Sequence, residues 1–309
     1  QAEWQRYITE FDLKRALEQS RFPELNRPSR LLSICKNSGQ LYEFIKRHEN
    51  SPDLSIDIES MQGIPICIGL AFEKYEGMSV PLWDRTKLCR ISDIPIGDLA
   101  AIWRILYQLL LNPKYKKIGQ NFKYDEDKIY RLGFLIDSLH FDTMLGAFAT
   151  NPELPKNLGF NTSIYTEEPF YKNEGSEFDY SKRPIEDFLI YNARDAAVTK
   201  EVKDAQLKEI IEIGQSEFFF NFIMKLHRLY LEIERVGFRV DEPAREQLLR
   251  KYIKWAEQLR YELWRDCGTP LNVNSPKQVD IMLYEILKIP RRKGTGEEVL
   301  TQLLGNVTV

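Results

Sequence analysis

The segment LSIDIES alternates Ile56 and Ile58 with Asp57 and Glu59. Read as a β-strand, it sends the isoleucines to one face and both acids to the other. Two carboxylates side by side on a strand of core residues are costly unless a positive charge lies between them. A hard divalent cation such as Mg²⁺ or Mn²⁺, which takes oxygen ligands, meets that need. The same pattern also suits a solvent-facing edge strand.

Two later segments add acids. In IGQNFKYDEDKIYRLGF, Asn121 is a natural helix cap and Asp125 follows one turn on. Taken alone, acids there are commonly a solvated face. In IYNARDAAVTKEV, Tyr191 and Asp195 are four apart and share one helix face. Ala193, Ala196 and Ala197 are small enough to let another backbone or a substrate come close. Taken alone, an ordinary helix with a half-buried tyrosine and an exposed aspartate explains that segment better. The order and spacing of the three segments, about seventy residues apart each time, are more specific than any one of them.

These motifs need a scaffold, and the 309 residues are enough for two domains. Residues 1–30, mixed in charge and ending near a proline, read as a helical extension. From Leu31 the runs LLSIC, LSIDIES, ICIGLAF and MSVPLW are short and turn-bounded, and three strands close together in sequence predict an antiparallel meander. Apolar spacing predicts a helix over 97–112, then a strand at KKIG, a helix over 122–131 and further helices to about 214. The fold class expected is α/β, with a sheet flanked by helices over residues 31–213. Beyond Gly214 the pattern is helical throughout. Gly237 marks one helix end, Asp241 with Pro243 opens a helix to about Cys267, and Asn274 or Ser275 with Pro276 opens another.

Composition narrows the chemistry. The four cysteines form no CxxC, so disulfides and a structural zinc site are not expected, and a reducing compartment fits. Three scattered histidines argue against a His-based metal site. No apolar run approaches the roughly 20 residues that span a bilayer, and QAEWQRYITEF is not a signal peptide. The first residue is Gln, so a cut or processed end is expected. Net charge is −3. Residues 216–309 hold 15 Lys+Arg against 13 Asp+Glu, and the surplus of acids lies in residues 1–215. Nucleic-acid binding therefore does not follow from charge alone and requires cations held by some of the acids.

DIES, GQNFKYD, FDTML and YNARDA, in that order, resemble the DEDDy type of 3′→5′ exonuclease, with four acids and a tyrosine. More closely, the chain resembles the proofreading domain of bacterial and phage family A DNA polymerases. LEIERVGFRVD and LNVNSPKQV resemble the opening of that family's polymerase thumb. The resemblance implies an RNase H-like exonuclease domain over 31–213 and a partial all-α thumb over 214–309. It implies that Asp57, Glu59 and Asp195 hold one Mg²⁺ (or Mn²⁺) and that Asp57 bridges to a second, which Asp125 holds through water. A pair of metals about 3.5–4 Å apart generates hydroxide and steadies the attacking and leaving oxygens. Tyr191, whose unperturbed pKa near 10 makes it a poor base, is assigned with Glu59 to orient the attacking water. Ser60 is placed near the terminal 3′ hydroxyl, and Asn121 against the nucleotide or its phosphate.

The implied substrate is a single-stranded or frayed DNA 3′ end, in the cytoplasm of a bacterial or phage-infected cell. No segment resembles the palm or fingers, so the chain is expected not to synthesise DNA and to be one part of a longer or split polymerase. FDYSKR at 178–183 contains the DYS of the polymerase metal motif, but it precedes the third exonuclease motif and differs after it. The aromatics Tyr165, Phe170, Tyr171, Phe178 and Tyr180 suit a loop pinned to the core better than a stacking platform. Arg291, Arg292 and Lys293 form a basic loop suited either to a duplex backbone or to solvent. Two rival functions remain: an exoribonuclease resembling RNase D, and an inactive DNA-binding platform. The thumb-like helices argue against the first, and the full set of four acids and a tyrosine against the second.

Overall fold

The computed structural model describes residues 3–24, 27–61, 63–82, 94–137, 139–176, 178–179, 182–292 and 294–305. Two compact units divide the chain at Val236/Gly237. The first opens with helix α1 (Glu3–Gln19), then strand β1 (Leu31–Ile34), helix α2 (Ser38–Arg47) and the meander β2 (Asp53–Met61), β3 (Ile64–Glu73) and β4 (Glu76–Pro81). Helix α3 (Ile96–Leu111), β5 (Lys116–Gly119), α4 (Phe122–Arg131), β6 (Leu139–Asp142), α5 (Thr143–Thr150), α6 (Leu158–Tyr165) and the single turn α7 (Asn173–Ser176) follow. The long helix α8 (Ile185–Glu212) leads to a short α9 (Ser216–Phe218), a π-helical turn (Phe219–Ile223) and α10 (Met224–Val236).

The six strands are ordered β1-β4-β3-β2-β5-β6. The meander pairs are antiparallel, as expected, while β1, β5 and β6 add on in parallel. This mixed sheet flanked by helices is the expected α/β, RNase H-like class. Two elements had not been anticipated. Helix α2 separates β1 from the meander, capped by Asn37 accepting from the Gln40 N–H and burying Leu41 and Phe44. Strand β6, four residues long, falls in a stretch read as helical and owes its form to parallel pairing with β5.

Alternation along β2 sorts its residues between two layers. Leu54, Ile56 and Ile58 join the core formed with α2, α3 and α4. Asp53, Asp57 and Glu59 alternate with them and face α8, where Lys203 and Lys200 of that helix pair with Asp53 at 2.7 and 3.5 Å. The small residues explain how close α8 lies to the sheet. Ala193, Ala196 and Ala197 are fully buried, so the close approach they permit is to the sheet backbone. A Cβ on Gly77 would meet the Ala193 carbonyl oxygen at 2.3 Å, and one on Gly69 the Asn192 carbonyl oxygen at 2.6 Å. Backbone atoms cannot rotate away, so Gly77→Ala must push α8 off β4. A loss of about 1–3 kcal/mol is expected, measured as a lower midpoint in urea unfolding.

Past residue 214 the helices do not leave the first unit at once. Phe219 and Ile223 pack with Ile118 and Phe141, and His227 and Leu231 are buried. The first compact unit therefore extends through α10, past the change of sequence pattern near 214, because α10 has an apolar face to bury on it.

The second unit begins beyond Gly237 (φ 66°). Asp241 accepts from the Ala244 N–H to cap α11 (Glu242–Cys267), with Pro243 in the first turn. Ser275 accepts from the Gln278 N–H at the start of α12 (Pro276–Asp280), settling which of the two candidates caps it. A π-helical turn (Ile281–Ile286) and α13 (Glu297–Gly305) complete it. Arg291 pairs with Asp280 within this unit, while Lys293 lies outside the described residues. No helix among the described residues is long and apolar enough to cross a membrane.

Candidate active site

Asp57, Glu59 and Asp195 converge, each offering one carboxylate oxygen within 4.8 Å of the others. Alternation on β2 brings the first two to the α8 side, and close packing of α8 brings the third. Asn192 sets the register between helix and strand. Its Nδ2 donates to the Asp57 carbonyl (3.1 Å) and Oδ2 (2.8 Å), while its Oδ1 accepts from the Ser79 hydroxyl at 2.7 Å.

Asp125 stands apart from the trio. It is buried on α4, and its Oδ1 accepts from the Ile58 N–H at 2.8 Å, which ties this helix to the strand between the two acids. Asn121 occupies the helix-cap position in a left-handed conformation (φ 52°), but its side chain makes no capping bond. The capping expected of it falls to Asp142 of FDTML. That buried carboxylate accepts from the Asn121 N–H (2.9 Å) and Phe122 N–H (2.8 Å), and also from Met144 N–H at the start of α5 (2.8 Å). One acid thus caps two helices. Ser60 follows a bulge in β2, and its hydroxyl oxygen is buried with no hydrogen-bond partner among the described residues.

Tyr191 is buried, one turn before Asp195 on α8. Helix α7 lies against its ring: a Cβ on Gly175 would come within 2.4 Å of Tyr191 Cζ. The preceding segment supplies two residues that spacing did not reveal. Tyr171 is buried and donates its hydroxyl to Asp195 Oδ1 at 2.5 Å, and the Lys172 ammonium donates to Asp195 Oδ2 at 2.5 Å. Lys172 Nζ also sits 4.6 Å from the centre of the Tyr191 ring. A pinned loop is therefore the right description of this segment: Tyr171 and Phe178 are buried, Tyr165 donates to Glu209 (2.7 Å), and among its described aromatics only Phe170 is open to solvent. Tyr180 lies outside the described residues.

The charges are crowded. Burial, then the nearby Asp195, pushes the Asp57 carboxyl up to about 7 from 3.8, with Lys172 and Asn192 opposing. Burial, then Asp57 and Asp195, raises the Glu59 carboxyl, with Lys172 opposing. Asp125 is raised by burial and then by Asp57. Burial, then Asp195, raises the Tyr191 hydroxyl. Acids buried this close together disfavour one another's charge and call for a cation, and their all-oxygen donor set suits a hard one.

The raised carboxyl sets a pH dependence. Between about pH 3.8 and 7 the folded chain holds a proton on Asp57 that the unfolded chain has released. Folding stability therefore falls as pH rises through that window. In EDTA, thermal melting is expected to move down from pH 5 to pH 8, and Mn²⁺ at pH 8 to restore it. A melting temperature that rises across this range would contradict the assignment.

Comparison with known proteins places this geometry. Residues 32–211, more than half of the chain, match the model of the 3′-5′ exonuclease family of A-type DNA polymerases. The chain belongs to this family. The exonuclease match spans β1 to the last turn of α8 and so takes in the whole trio. DNA polymerase I of Chloroflexus aurantiacus is 23% identical over 281 residues, covering 86% of this chain and 29% of that protein. DNA polymerase I of Borreliella burgdorferi is 24% identical, covering 85% and 30%. The chain thus spans less than a third of the length of these relatives. Among solved structures, the POL domain of Pol1 from M. smegmatis, in complex with DNA primer-template and dNTP, matches 89% of this chain and 45% of that one. Its TM-score is 0.56 at 17% identity. A structure described as the apo form of a nuclease matches 69% of this chain and 95% of its own, at TM-score 0.51 and 13% identity. At these identities the structural likeness concerns the fold alone. The exonuclease family carries nuclease hydrolysis, and in this member three carboxylates lie together at the junction of β2 and α8.

Proposed function

We propose that the chain is a metal-dependent 3′→5′ exodeoxyribonuclease acting on single-stranded or frayed DNA ends, the proofreading part of a family A DNA polymerase. The convergence of Asp57, Glu59 and Asp195 within 4.8 Å, beside a buried tyrosine, carries this reading. On this reading residues 1–30 are an extension, 31–213 the exonuclease domain and 214–309 the start of the polymerase thumb. The bacterial DNA polymerase I relatives support placement in a bacterial cytoplasm.

Asp57, Glu59 and Asp195 would hold one divalent ion, Mg²⁺ or Mn²⁺, and Asp57 with Asp125 a second. Such ions supply hydroxide at neutral pH and charge stabilisation at the attacking and leaving oxygens. The chain's own residues do the positioning. Asn192 fixes the Asp57 carboxylate, and the Ile58 N–H fixes that of Asp125. Burial keeps the Tyr191 hydroxyl protonated, so it donates to and orients the attacking water beside Glu59 rather than removing a proton. The Ser60 hydroxyl, which has no hydrogen-bond partner among the described residues, is assigned to the terminal 3′ hydroxyl of the substrate. Asn121, whose side chain is not spent on capping, is assigned to the nucleotide or its phosphate. Unpaired ends should be preferred, since the strand must leave the duplex to reach a buried site and mismatches lower that cost.

The test is digestion of 5′-labelled single-stranded DNA with Mg²⁺, alongside the matched RNA. Stepwise shortening from the 3′ end, abolished by EDTA and faster on DNA, is the expected result. Faster loss of RNA would turn the reading to an exoribonuclease. Intact DNA with Mg²⁺ and with Mn²⁺ would leave a platform without activity.

A further inference from the structure

Lys172 brings a cation of the protein's own into the carboxylate trio. Its ammonium lies 2.5 Å from Asp195 Oδ2, and Tyr171 occupies Oδ1 of the same group at 2.5 Å. The remaining acids, Asp57 and Glu59, both act on this ammonium electrostatically. A lysine elsewhere on the surface would repay little, but here it meets three acids that repel one another.

The backbone carrying Lys172 is anchored on several sides. Arg30, with its side chain 2% exposed, pairs with Glu168 (2.7 Å) and with Glu201 of α8 (2.5 Å). Arg15 of α1 donates to the Thr166 carbonyl at 2.5 Å and to that of Ser163. On the far side, Gly175 lies on the Tyr191 ring and Glu174 pairs with Arg194 of α8 at 3.0 Å. Tether and target are therefore fixed, and the ammonium is carried on a four-carbon stem whose side chain remains 26% exposed. Rotation of that stem toward solvent frees Asp195 Oδ2 without moving any backbone.

We infer that Lys172 is the tethered counter-ion of the carboxylate site, exchanging with the divalent cation at Asp195 so that metal loading displaces its ammonium. This rests on the reading of the trio as a divalent-metal site. Lys172 acts through Asp195 and is a positioning residue. It keeps the three acids together before loading and raises the metal concentration at which loading occurs.

The experiment is calorimetric Mn²⁺ binding to the full chain at pH 8, comparing the native protein with Lys172→Met. Removal of the competitor is expected to tighten binding about tenfold, equivalent to about 1.4 kcal/mol. Lys172→Arg, which keeps a charge, should stay close to native. Equal or weaker binding by Lys172→Met, with the native chain binding normally, overturns the exchange and leaves the metal site standing. Absence of Mn²⁺ binding by both chains sinks the metal site itself, and the exchange with it. Should Lys172→Met not fold, reductive methylation of the native protein decides. Labelling of Lys172, read by peptide mass spectrometry, should rise several-fold on saturation with Mn²⁺, and unchanged labelling overturns the inference.

Discussion

Asp57→Ala is expected to abolish 3′-end digestion, by at least about 10³-fold, without unfolding the chain. A loss of that size corresponds to about 4 kcal/mol of transition-state stabilisation, the scale on which metal ligands act. Asp57 is the acid proposed to serve both ions, so its removal should cost more than that of any other member. The fold should survive because the carboxylate does little structural work. Its partner Asn192 keeps the Ser79 hydroxyl and the Asp57 carbonyl. Indeed, Asp57 holds its proton up to about 7 because burial and Asp195 disfavour its charge. In EDTA at pH 8 the variant should therefore melt at or above the native temperature, since a repelling charge is gone. Loss of activity together with a lower melting temperature would instead make Asp57 a structural residue. Equal digestion by both proteins would remove the site assignment altogether.

The second large effect is on stability. Arg30→Met should destabilise the first unit by about 3 kcal/mol, the range found when one partner of a buried ion pair is removed. Arg30 reaches Glu168, Glu201 and the Lys74 carbonyl from a side chain almost wholly out of solvent. Glu168 and the Lys74 carbonyl lose this donor, Glu201 is left with Lys74 at 3.7 Å, and methionine offers no replacement. For a unit of this size the midpoint of thermal unfolding should drop by roughly 6–12 °C. The charge at Glu168 lies four residues before Lys172, so the variant should also loosen the segment that carries it. Limited proteolysis within residues 166–176 is expected to quicken, and unchanged cleavage there would separate the ion-pair hub from the positioning of Lys172.

How much of this was legible in advance follows from which interactions are local. The face-sharing of Asp57 and Glu59 is a property of any strand, and that of Tyr191 and Asp195 of any helix, so both pairs could be read from spacing. The cap at Asp241 was equally visible, because a cap and its N–H partner are three residues apart, whereas the choice of Ser275 over Asn274 needed the structure. The acids' identity, and the family they resemble, lay in the sequence alone.

Contacts between distant segments were decided only in three dimensions. Nothing near Asn121 announces that its helix is capped by Asp142, since that carboxylate arrives through the pairing of β5 with β6. Asn192 looks like an ordinary helix residue until α8 settles on Gly69 and Gly77 and aims its amide at Asp57. Lys172 and Tyr171 are one charged and one aromatic residue in a loop of several, and they acquire a role from the anchoring of that loop by Arg30 and Arg15. Periodicity tells which way a side chain leaves its own element, because that depends on the backbone beside it. Which partner it meets depends on sheet order and helix docking, set by burial of apolar faces far apart in the chain. The sequence determined the acids and their faces, and the tertiary structure decided that three of them share one point with a lysine already there.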